Sequence, residues 1–590
     1  VSGRELITER LDLWTGAVTK KSSSGRGSNG KIELTGIKKL RELILELAVH
    51  GKLVDQDPGD TAASELLSRI TDIRKDLIIG NKIKNSKPLP PVLHEEAPSR
   101  LSDGWAWTRL GTIAEINPRN TAADLTEASF IPMPLVTTSY HGEHGDESRA
   151  WGEIKKGYSH FADGDIGLAK ITPCFENSKA AVFRSLRNGV GAGTTELHVA
   201  RPLSTAINPY FILLFLKSPK FLAEGKKVMT GSAGQKRVPK DYFAQTPLPL
   251  PPEDEQYRIV QKVDELMALC DRLEQQTSNQ LEAHETLVDT LLGTLAQSQN
   301  ATELADNWTR LAAHFDTLFI TEQSIDKIKQ TILQLAVMGR LVEQDAGDEP
   351  ASEFMKRLEI TQQELSSESK QRKTKPLPPI EESEGPFRLP PGWFLSRLDD
   401  ITDIQGGIAK GKKLSDKKMR SLPYLRVANV QRSSLDLSEI KDIEIAENEV
   451  ERYLVHPRDL LITEGGDWDK VGRTAIWDGS INPMAHQNHV FRARLIMDEQ
   501  NERWFEKYLN SQFARDYFAG SSKQTTNLAS INKTQLRSCT IPLPPLEEQA
   551  RIVDKFDELM VFCDQLKECL SQANKTRSQL AEAVVEQAIS

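Results

Sequence analysis

Cysteine is scarce in this chain, and the little there is forms no redox or metal pattern. Cys174, Cys270, Cys539, Cys563 and Cys569 are all of it in 590 residues, and no two make a C-x-x-C pair. They read as small buried apolar residues. No run of about 18 apolar residues occurs and no signal-peptide core opens the sequence, so neither a spanning nor a secreted chain is expected. A cytoplasmic location without a membrane partner is expected. A net positive charge is also missing, the formal value being −9. That average hides segregation. Residues 105–247 hold 17 Lys/Arg against 13 Asp/Glu, whereas 253–300 hold 3 against 10. An acidic spacer joins more basic pieces, so whole-chain charge is a poor guide to partners.

Complete catalytic and metal constellations are absent too. GGIAKGKK at Gly406 spells most of a phosphate-binding loop, but Lys413 stands where a Ser or Thr would hold magnesium. Its basic character fits a phosphate-contacting loop better than an ATP site. Gly189, Gly191 and Gly193 lie between expected strands with no helix following, which excludes a dinucleotide fingerprint. Asn482-Pro483-Met484 lacks the second proline and the aromatic of an amino-methyltransferase motif. Asp467 and Asp469 flank Trp468 without calcium-loop spacing, and His486 and His489 have no further His or Cys partners. No catalytic residue and no metal ligand is assigned.

What the chain does contain is a duplication. LPLPPEDEQYRIVQKVDELMALCDRL (Leu248–Leu273) returns as IPLPPLEEQARIVDKFDELMVFCDQL (Ile541–Leu566). ILELAVHGKLVDQDPGDTAASELLSRI from Ile44 returns from Ile332, and KPLPP at Lys87 returns at Lys375, both at an offset of 288. Constant spacing over such a distance means whole-unit duplication. In each PLPP run, rigid prolines end what precedes and acidic residues then suit a first helical turn. The first long helix carries a heptad seam of Ile259, Val263, Leu266, Cys270 and Leu273, continued by Leu287 and Leu291. The second carries Ile552, Phe556, Leu559, Cys563 and Leu566, continued by Leu570, Ala573, Leu580 and Val584. Each helix seeks a partner, and each is the natural partner of the other.

Between the repeated frames lie two inserts that diverge almost completely and end at an offset of 293 (544 minus 251), so the second is five residues longer. The first reads as strands in PLVTTSY, DIGLAKI, AAVFR and TELHVAR, then a helix from Asn208 to about Val228. The second reads as YLRVANV, DLLIT, RTAIW and HVFRARL, then a helix from Asn501 to about Ala519. Lys179 thus falls beside Arg473, and Thr195 beside Asn488. Each insert is an expected α+β domain. Near the beginning, an amphipathic piece around Leu6, Ile7, Leu11 and Trp14 is followed by a Ser/Gly linker, KKSSSGRGSNG.

The two PLPP-x-x-E-Q-x-R-I-V-x-K runs (Pro249–Lys262, Pro542–Lys555), each followed by DEL, resemble the specificity subunits of Type I restriction-modification systems. TGSAGQKRVPKDYF (Thr230–Phe243) is similarly typical. GDIGLAKITPCFENSKAAVF (Gly164–Phe183) with GAGTTELHVARP (Gly191–Pro202) looks like a recurrent target-recognition domain of that family. GKIELTGIKKLRELILELAVHGKLV resembles the subgroup with an extended helical N-terminal region. The resemblance implies an α+β chain with two target-recognition α/β domains separated by two long antiparallel coiled-coil helices. An internal pseudo-two-fold repeat and helical N-terminal and central framework segments complete it. The expected division is a framework region over 1–100, recognition domain 1 over 101–250 and a long helix over 251–298. A framework repeat over 299–388, recognition domain 2 over 389–543 and a second long helix over 544–590 follow.

The resemblance further implies a non-catalytic subunit that binds double-stranded DNA. It would dock two methyltransferase subunits and work with restriction endonuclease-translocase subunits, directing adenine methylation or ATP-dependent restriction. No cofactor is implied in this chain; S-adenosylmethionine belongs to the methyltransferase partner, and ATP and magnesium to the restriction partner. Base reading needs Arg, Lys, Asn and Gln on loops, and positioning needs cations and hydroxyls against phosphates. In the first insert the candidates are Lys170, Thr172, Asn177, Lys179, Thr194, Thr195, Gln235, Lys236 and Arg237. In the second they are Arg426, Asn429, Gln431, Lys470, Arg473, Gln487, Asn488, Lys523 and Gln524. Tyr140 and His141 of the first insert and Trp468 of the second are candidates for stacking or groove contacts. TTNLASINKTQL (Thr525–Leu536) stands where the first copy has SAGQKRVPKDYF (Ser232–Phe243), so contacts at that loop are not expected to carry between copies. The rival from another class is a non-enzymatic coiled-coil assembly scaffold whose inserts bind proteins. An enzyme hidden in one insert is the other.

Overall fold

The computed structural model describes residues 7, 9–20, 32–84, 88–93, 95–97, 100–232, 234–298, 301–368, 376–381, 384–409, 418–466, 470–525 and 528–589. The Ser/Gly linker lies outside them except at its first residue. They divide into two units, residues 1–281 with 572–590, and residues 282–571.

In the first unit, α1 (Thr35–Val49) buries Ile37, Leu40, Leu43, Ile44, Leu47 and Ala48 along one stripe. It stops at Gly51, where φ is +66° and an added Cβ would lie 2.5 Å from Ser102 Oγ and 2.9 Å from the Trp105 ring. Only glycine fits that turn. After α2 (Ala63–Ile79) the insert opens with β1 (Ala106–Arg109). One antiparallel sheet has the order β2 (Ala114–Ile116), β9 (Leu197–Pro202), β6 (Ile166–Ala169), β7 (Ala180–Val182). A second has the order β4 (Glu147–Ala150), β3 (Glu127–Ile131), β8 (Val190–Gly193), β5 (Ser159–Ala162), with β3 and β8 parallel. Helices α3 (Pro209–Lys217), α4 (Pro219–Val228) and α5 (Lys240–Gln245) follow. The PLPL run is then itself a strand, β10 (Pro247–Leu250), pairing antiparallel with β1. Alternating prolines suit such a two-stranded ribbon, because alternate residues need no ladder N–H. From it starts α6 (Glu253–Gln297).

The second unit repeats this plan. It comprises α7 (Glu322–Val337), α8 (Ala351–Glu368), β11 (Phe394–Arg397), and the antiparallel sheet β12 (Thr402–Gly406), β19 (Val490–Leu495), β15 (Leu460–Thr463), β17 (Thr474–Ile476). A smaller sheet runs β14 (Lys441–Ala446), β13 (Met419–Leu425), β18 (Ala485–His486), with β13 and β18 again parallel. A third runs β16 (Gly465–Gly466), β21 (Leu528–Ser530), β20 (Lys523–Thr525). Helices α9 (Glu502–Asn510), α10 (Gln512–Ser521) and α11 (Lys533–Arg537), strand β22 (Thr540–Leu543) against β11, and the first part of α12 (Leu546–Ile589) follow.

Four expectations need correction. PLVTTSY is not a strand: Pro132 and Pro134 favour a turn, residues 133–135 form a 3-10 turn, and the strand is the upstream EASFI of β3. In YLRVANV, likewise, β13 ends at Leu425 and a 3-10 turn follows over Val427–Asn429. The VGAG stretch lies not between strands but in one: a Cβ at Gly191 would sit 2.4 Å from the Phe161 ring, and one at Gly193 2.2 Å from Ile131 O. Each helix after a sheet is two helices, broken at Ser218 before Pro219 and at Ser511.

The buried stripes of the long helices also depart from a strict heptad. Ile259, Val263 and Cys270 are buried with Leu266 and Leu273 half-buried, and Ile552, Phe556 and Cys563 are buried with Leu559 and Leu566 half-buried. Farther along, however, Leu287 and Leu580 are 50% and 46% exposed, while Val288 and Ala581 are buried. At 100° per residue, positions 259, 270, 277, 288 and 295 stay within about 20° of one line, and 287 is about 80° off it. The helices keep the 3.6-residue period, and both copies keep it alike.

Within the first unit, Ile259, Val263 and Cys270 of α6 share a core with Ala581, Val584 and Val585 of α12 and with α1. Within the second, Val288, Leu292 and Leu295 of α6 share a core with Ile552, Phe556 and Cys563 of α12 and with α7. The ion pairs repeat as well. Lys39 meets Glu582 at 3.7 Å and Lys327 meets Asp289 at 2.7 Å. Arg41 meets Asp271 at 2.7 Å, and Lys329 meets Asp564. All four are partly exposed, so each contributes at most about 1 kcal/mol.

Candidate nucleic-acid interface

The E-Q pair of each PLPP run is spent on anchoring. Gln256 is buried, donates to Pro251 O at 3.2 Å and accepts from Asn208 N at 2.8 Å, fixing the start of α6 to the N-cap of α3. Gln549 donates to Pro544 O at 2.9 Å, and Glu548 accepts from Trp393 Nε1 at 3.1 Å. Arg258 pairs with Asp60 and Arg551 with Asp348, both at 2.5 Å. The glutamine and tryptophan contacts tie the inserts to the starts of the long helices, and the two Arg–Asp pairs tie those helices to the framework segments.

In the first unit three loops converge. Lys170 N, at the end of β6, donates to Glu196 O at 2.9 Å, and Val238 N donates to Lys170 O at 2.8 Å. Thr172 N and Oγ1 both donate to Lys236 O, at 2.9 and 3.2 Å. Thr194 Oγ1 accepts from Glu196 N at 3.2 Å. The Arg237 guanidinium grips Glu196 with two bonds, Nη2 to Oε1 at 2.8 Å and Nε to Oε2 at 2.9 Å, and holds that carboxyl below the usual range. Lys170, Thr172, Thr194, Thr195, Gln235, Lys236 and Arg237 therefore form one patch. Thr195, Gln235 and Lys236 are its exposed members, while Arg237 is tied to Glu196. Asn177, exposed, and Lys179 lie on the same loop as Thr172. Lys179 Nζ donates to Met133 O at 3.2 Å, and the loop is pinned beneath by buried Lys217, whose Nζ donates to Ser178 O at 2.7 Å.

The second unit builds the same backbone frame with other side chains. Glu464 N donates to His489 O and Ile531 N donates to Glu464 O, both at 2.9 Å, repeating the bonds around Lys170. The bridges Ile171↔Arg237 and Thr230↔Arg237 return as the pairs Gly465↔Ser530 and Lys523↔Ser530. The loop expected not to carry over therefore does carry over in its backbone. The charges change: where the first copy has Lys170 and Glu196, the second has Glu464 and His489, paired at 2.6 Å.

Half-buried Gln487 and Asn488 stand in this cluster, with Asn488 Nδ2 3.3 Å from His489 Nε2. Half-buried Lys470 adjoins it through its carbonyl, which accepts from Thr463 Oγ1 at 2.7 Å. Lys523 and Gln524 belong to β20, but their side chains lie outside the described residues, as do Trp468, Asp467, Asp469 and the basic loop with Lys413. A neighbouring group joins Arg473 Nη1 to Gln431 Oε1 at 2.6 Å, and Arg426 Nη2 to Glu439 O at 2.8 Å. Asn429 fails as a base reader. It is 3% exposed, and its amide closes a turn by donating to Asp436 O and Glu439 O while accepting from Arg426 N. Buried His486, pushed down to about 4 by burial, sits inside the fold on Val490 O at 2.7 Å. Tyr140 and His141 lie against each other away from these loops, with His141 Nδ1 3.5 Å from Asp264 of α6.

Sequence reasoning did not place Glu196, Glu464 and His489 in these clusters, because it looked for cations, amides and hydroxyls, passed over carboxylates, and weighed His489 only as a metal ligand. Their shared position relative to β6 and β15 was the available signal. Among the described residues no group of three or more His, Cys, Asp or Glu could hold a metal ion, and no helix is long and apolar enough to cross a membrane.

A sequence model of the family described as "Type I restriction modification DNA specificity domain" matches residues 103–283 and 390–573. The chain is 47% identical over 591 residues to the Type I restriction enzyme EcoEI specificity subunit of Escherichia coli, covering 99% of each. It is 47% identical over 594 residues to the EcoAI specificity subunit of the same species, covering 100% of each. Among solved structures, that of the HsdS subunit from Thermoanaerobacter tengcongensis aligns with a TM-score of 0.43 at 19% identity, over 84% of this chain and 98% of that one.

Proposed function

The chain belongs to the DNA specificity subunits of type I restriction-modification systems, and from that membership we propose that its two inserts each read one half of an asymmetric, split DNA target. DNA sequence recognition is the function of the chain. The observation that carries the split reading is the pair of loop clusters just described. One backbone frame occurs twice, and its tips present Lys170, Thr195 and Lys236 in one copy but Glu464, Asn488 and His489 in the other. A lysine or exposed hydroxyl suits phosphate and guanine, whereas a carboxylate accepts from cytosine N4 and an asparagine suits adenine. Two faces of unlike chemistry select two unlike half-sites.

The long helices act as the spacer, paired antiparallel. The shared cores support this, since the start of one helix packs with the end of the other in each unit. At 1.5 Å per residue each helix is roughly 65 Å long, which fits unread base pairs between half-sites displayed about one turn apart. The chain performs no catalysis and holds no cofactor. Two methyltransferase subunits dock on the helical framework and supply S-adenosylmethionine for adenine methylation. Restriction endonuclease-translocase subunits bring ATP and magnesium.

The test is selection of bound duplexes from a random pool by the chain with its methyltransferase partner, followed by sequencing, with methylated positions in the host genome mapped in parallel. Two dissimilar short blocks at fixed spacing are expected. A single continuous block, or no sequence preference, refutes the split reading.

A further inference from the structure

A cavity of about 190 Å³ lies in the first unit, where α1, α4 and the β1–β10 ribbon meet. Its walls are aromatic, from Trp107, Phe215, Phe221 and Tyr242, and Glu46 of α1 and His50, just after that helix, supply the polar side. Glu46 is 1% exposed. Its Oε1 accepts from Lys220 N at 2.7 Å, capping α4, but Oε2 has no hydrogen-bond partner among the described residues. The nearest cationic candidate is His50 Nδ1 at 3.5 Å, which is engaged with Glu46 O at 2.7 Å and whose ring burial holds toward the neutral form. Burial pushes the Glu46 carboxyl up. Of the outer charges, Glu96 pairs with Arg109 at 2.6 Å and Glu224 with Lys227 at 2.6 Å, leaving Lys220 and Arg100 at the rim.

The duplication supplies an internal control. The positions of Lys220 and Glu224 are occupied in the second unit by Phe513 and Tyr517, 293 residues on, and that of Glu46 by Gln334, 288 on. Phe513 packs 5.1 Å from Phe387, and Tyr517 donates its hydroxyl to Gln535 O at 2.8 Å. The second copy places its rings elsewhere, with Leu395, Ala514 and Gln535 at the positions of Trp107, Phe221 and Tyr242, and has no carboxylate at the position of Glu46. The other keeps space, aromatic walls and a buried oxygen without a donor, an arrangement that costs free energy unless something pairs with it. An apolar cavity of about 150 Å³ accepts a benzene ring, so this one has room for a ring with a short arm.

We infer that this cavity is a binding site for a small organic cation, an aromatic body carrying a protonated primary amine, with the ring among Trp107, Phe215, Phe221 and Tyr242 and the ammonium on Glu46 Oε2. Neither half of a DNA target is involved, so the inference stands apart from the split reading.

The probes are benzylammonium, its neutral isostere benzyl alcohol, and benzoate, titrated against the full chain by ligand-observed NMR. Benzylammonium is expected to bind best and benzoate worst. E46Q keeps an acceptor for Lys220 N but loses the charge. It is expected to weaken benzylammonium by about tenfold or more while changing benzyl alcohol less than about twofold. K220F/F221A/E224Y/Y242Q installs the residues that the second copy carries at these four positions, and is expected to abolish binding of both. The proposal is overturned if benzylammonium binds no better than benzyl alcohol, if E46Q leaves it unchanged, or if binding survives in the quadruple variant.

Discussion

Replacing Lys217 by methionine tests the link between burial and the first proposed DNA face. Lys217 ends α3, is 4% exposed, and donates to Ser178 O at 2.7 Å beneath the loop that carries Asn177 and Lys179. Burial pushes its pKa down to about 7 from an ordinary 10.5. The folded state therefore binds fewer protons than the unfolded one between those values, and stability rises with pH across that window. Below pH 7 the full cost of the buried ammonium is present, on the order of 5 kcal/mol at about 1.4 kcal/mol per unit. Methionine removes that cost but leaves the Ser178 carbonyl without its donor, a loss of about 1 to 3 kcal/mol that does not vary with pH. The variant should be about 2 to 4 kcal/mol more stable than the natural chain at pH 7. Its advantage should shrink by about 1.4 kcal/mol per unit above that and vanish near pH 9. Parallel urea unfolding from pH 7 to 9 measures this, and DNA affinity should fall several-fold because the loop is no longer pinned. A stability difference that stays constant with pH refutes the reasoning.

Three further outcomes are expected. K170A and K236A each remove a cation from the first loop cluster, so gel shifts should show weaker binding with the salt slope reduced by about 0.9 per lysine that contacts phosphate; an unchanged slope for both would move the DNA face elsewhere. Inserting four residues into each long helix at equivalent points lengthens it by about 6 Å, near two base pairs at 3.4 Å each. Methylation mapping should then return the same half-sites at a wider spacing, and unaltered spacing would end the ruler reading. Q256L orphans Asn208 N and Pro251 O, both buried at the base of α6, and should lower stability by about 2 to 4 kcal/mol in thermal or urea unfolding.

The duplication was legible because a repeated frame repeats its anchors. Gln256 and Gln549, Arg258 and Arg551, and Asp60 and Asp348 recur at fixed offsets because each makes the same contact in each copy. The strands with β-branched or aliphatic runs, β6, β9, β15 and β19, were legible for the same reason that they are buried. What escaped was decided by tertiary packing. The glycines of β8 look like a turn in sequence and become a strand only because Phe161 and Ile131 press on them. The heptad seam drifted because straight helices follow 3.6 residues per turn, and a sequence with leucine at both 287 and 291 and valine at 288 satisfies either period locally. Asn429 showed the right residue type on the right kind of turn. Only the turn's own carbonyls, invisible in sequence, reveal that its amide is already occupied.

On the proposed split reading, the two loop clusters offer a way to change what is read without refolding. Around Lys170 and around Glu464 the holding bonds run between main-chain N–H and C=O groups, and such bonds are indifferent to the side chain. A lysine can become a glutamate at that point with both backbone bonds kept, provided that the facing residue changes too. Glu196 opposite Lys170 has become His489 opposite Glu464, so each copy keeps an acid beside a basic group while reversing which strand end supplies it. Had the frame been held by side chains, the same exchange would have cost the loop its shape. Divergence at the tips and constancy at the anchors are therefore one property. In the reading proposed above, the backbone carries the geometry and the freed side chains carry the specificity.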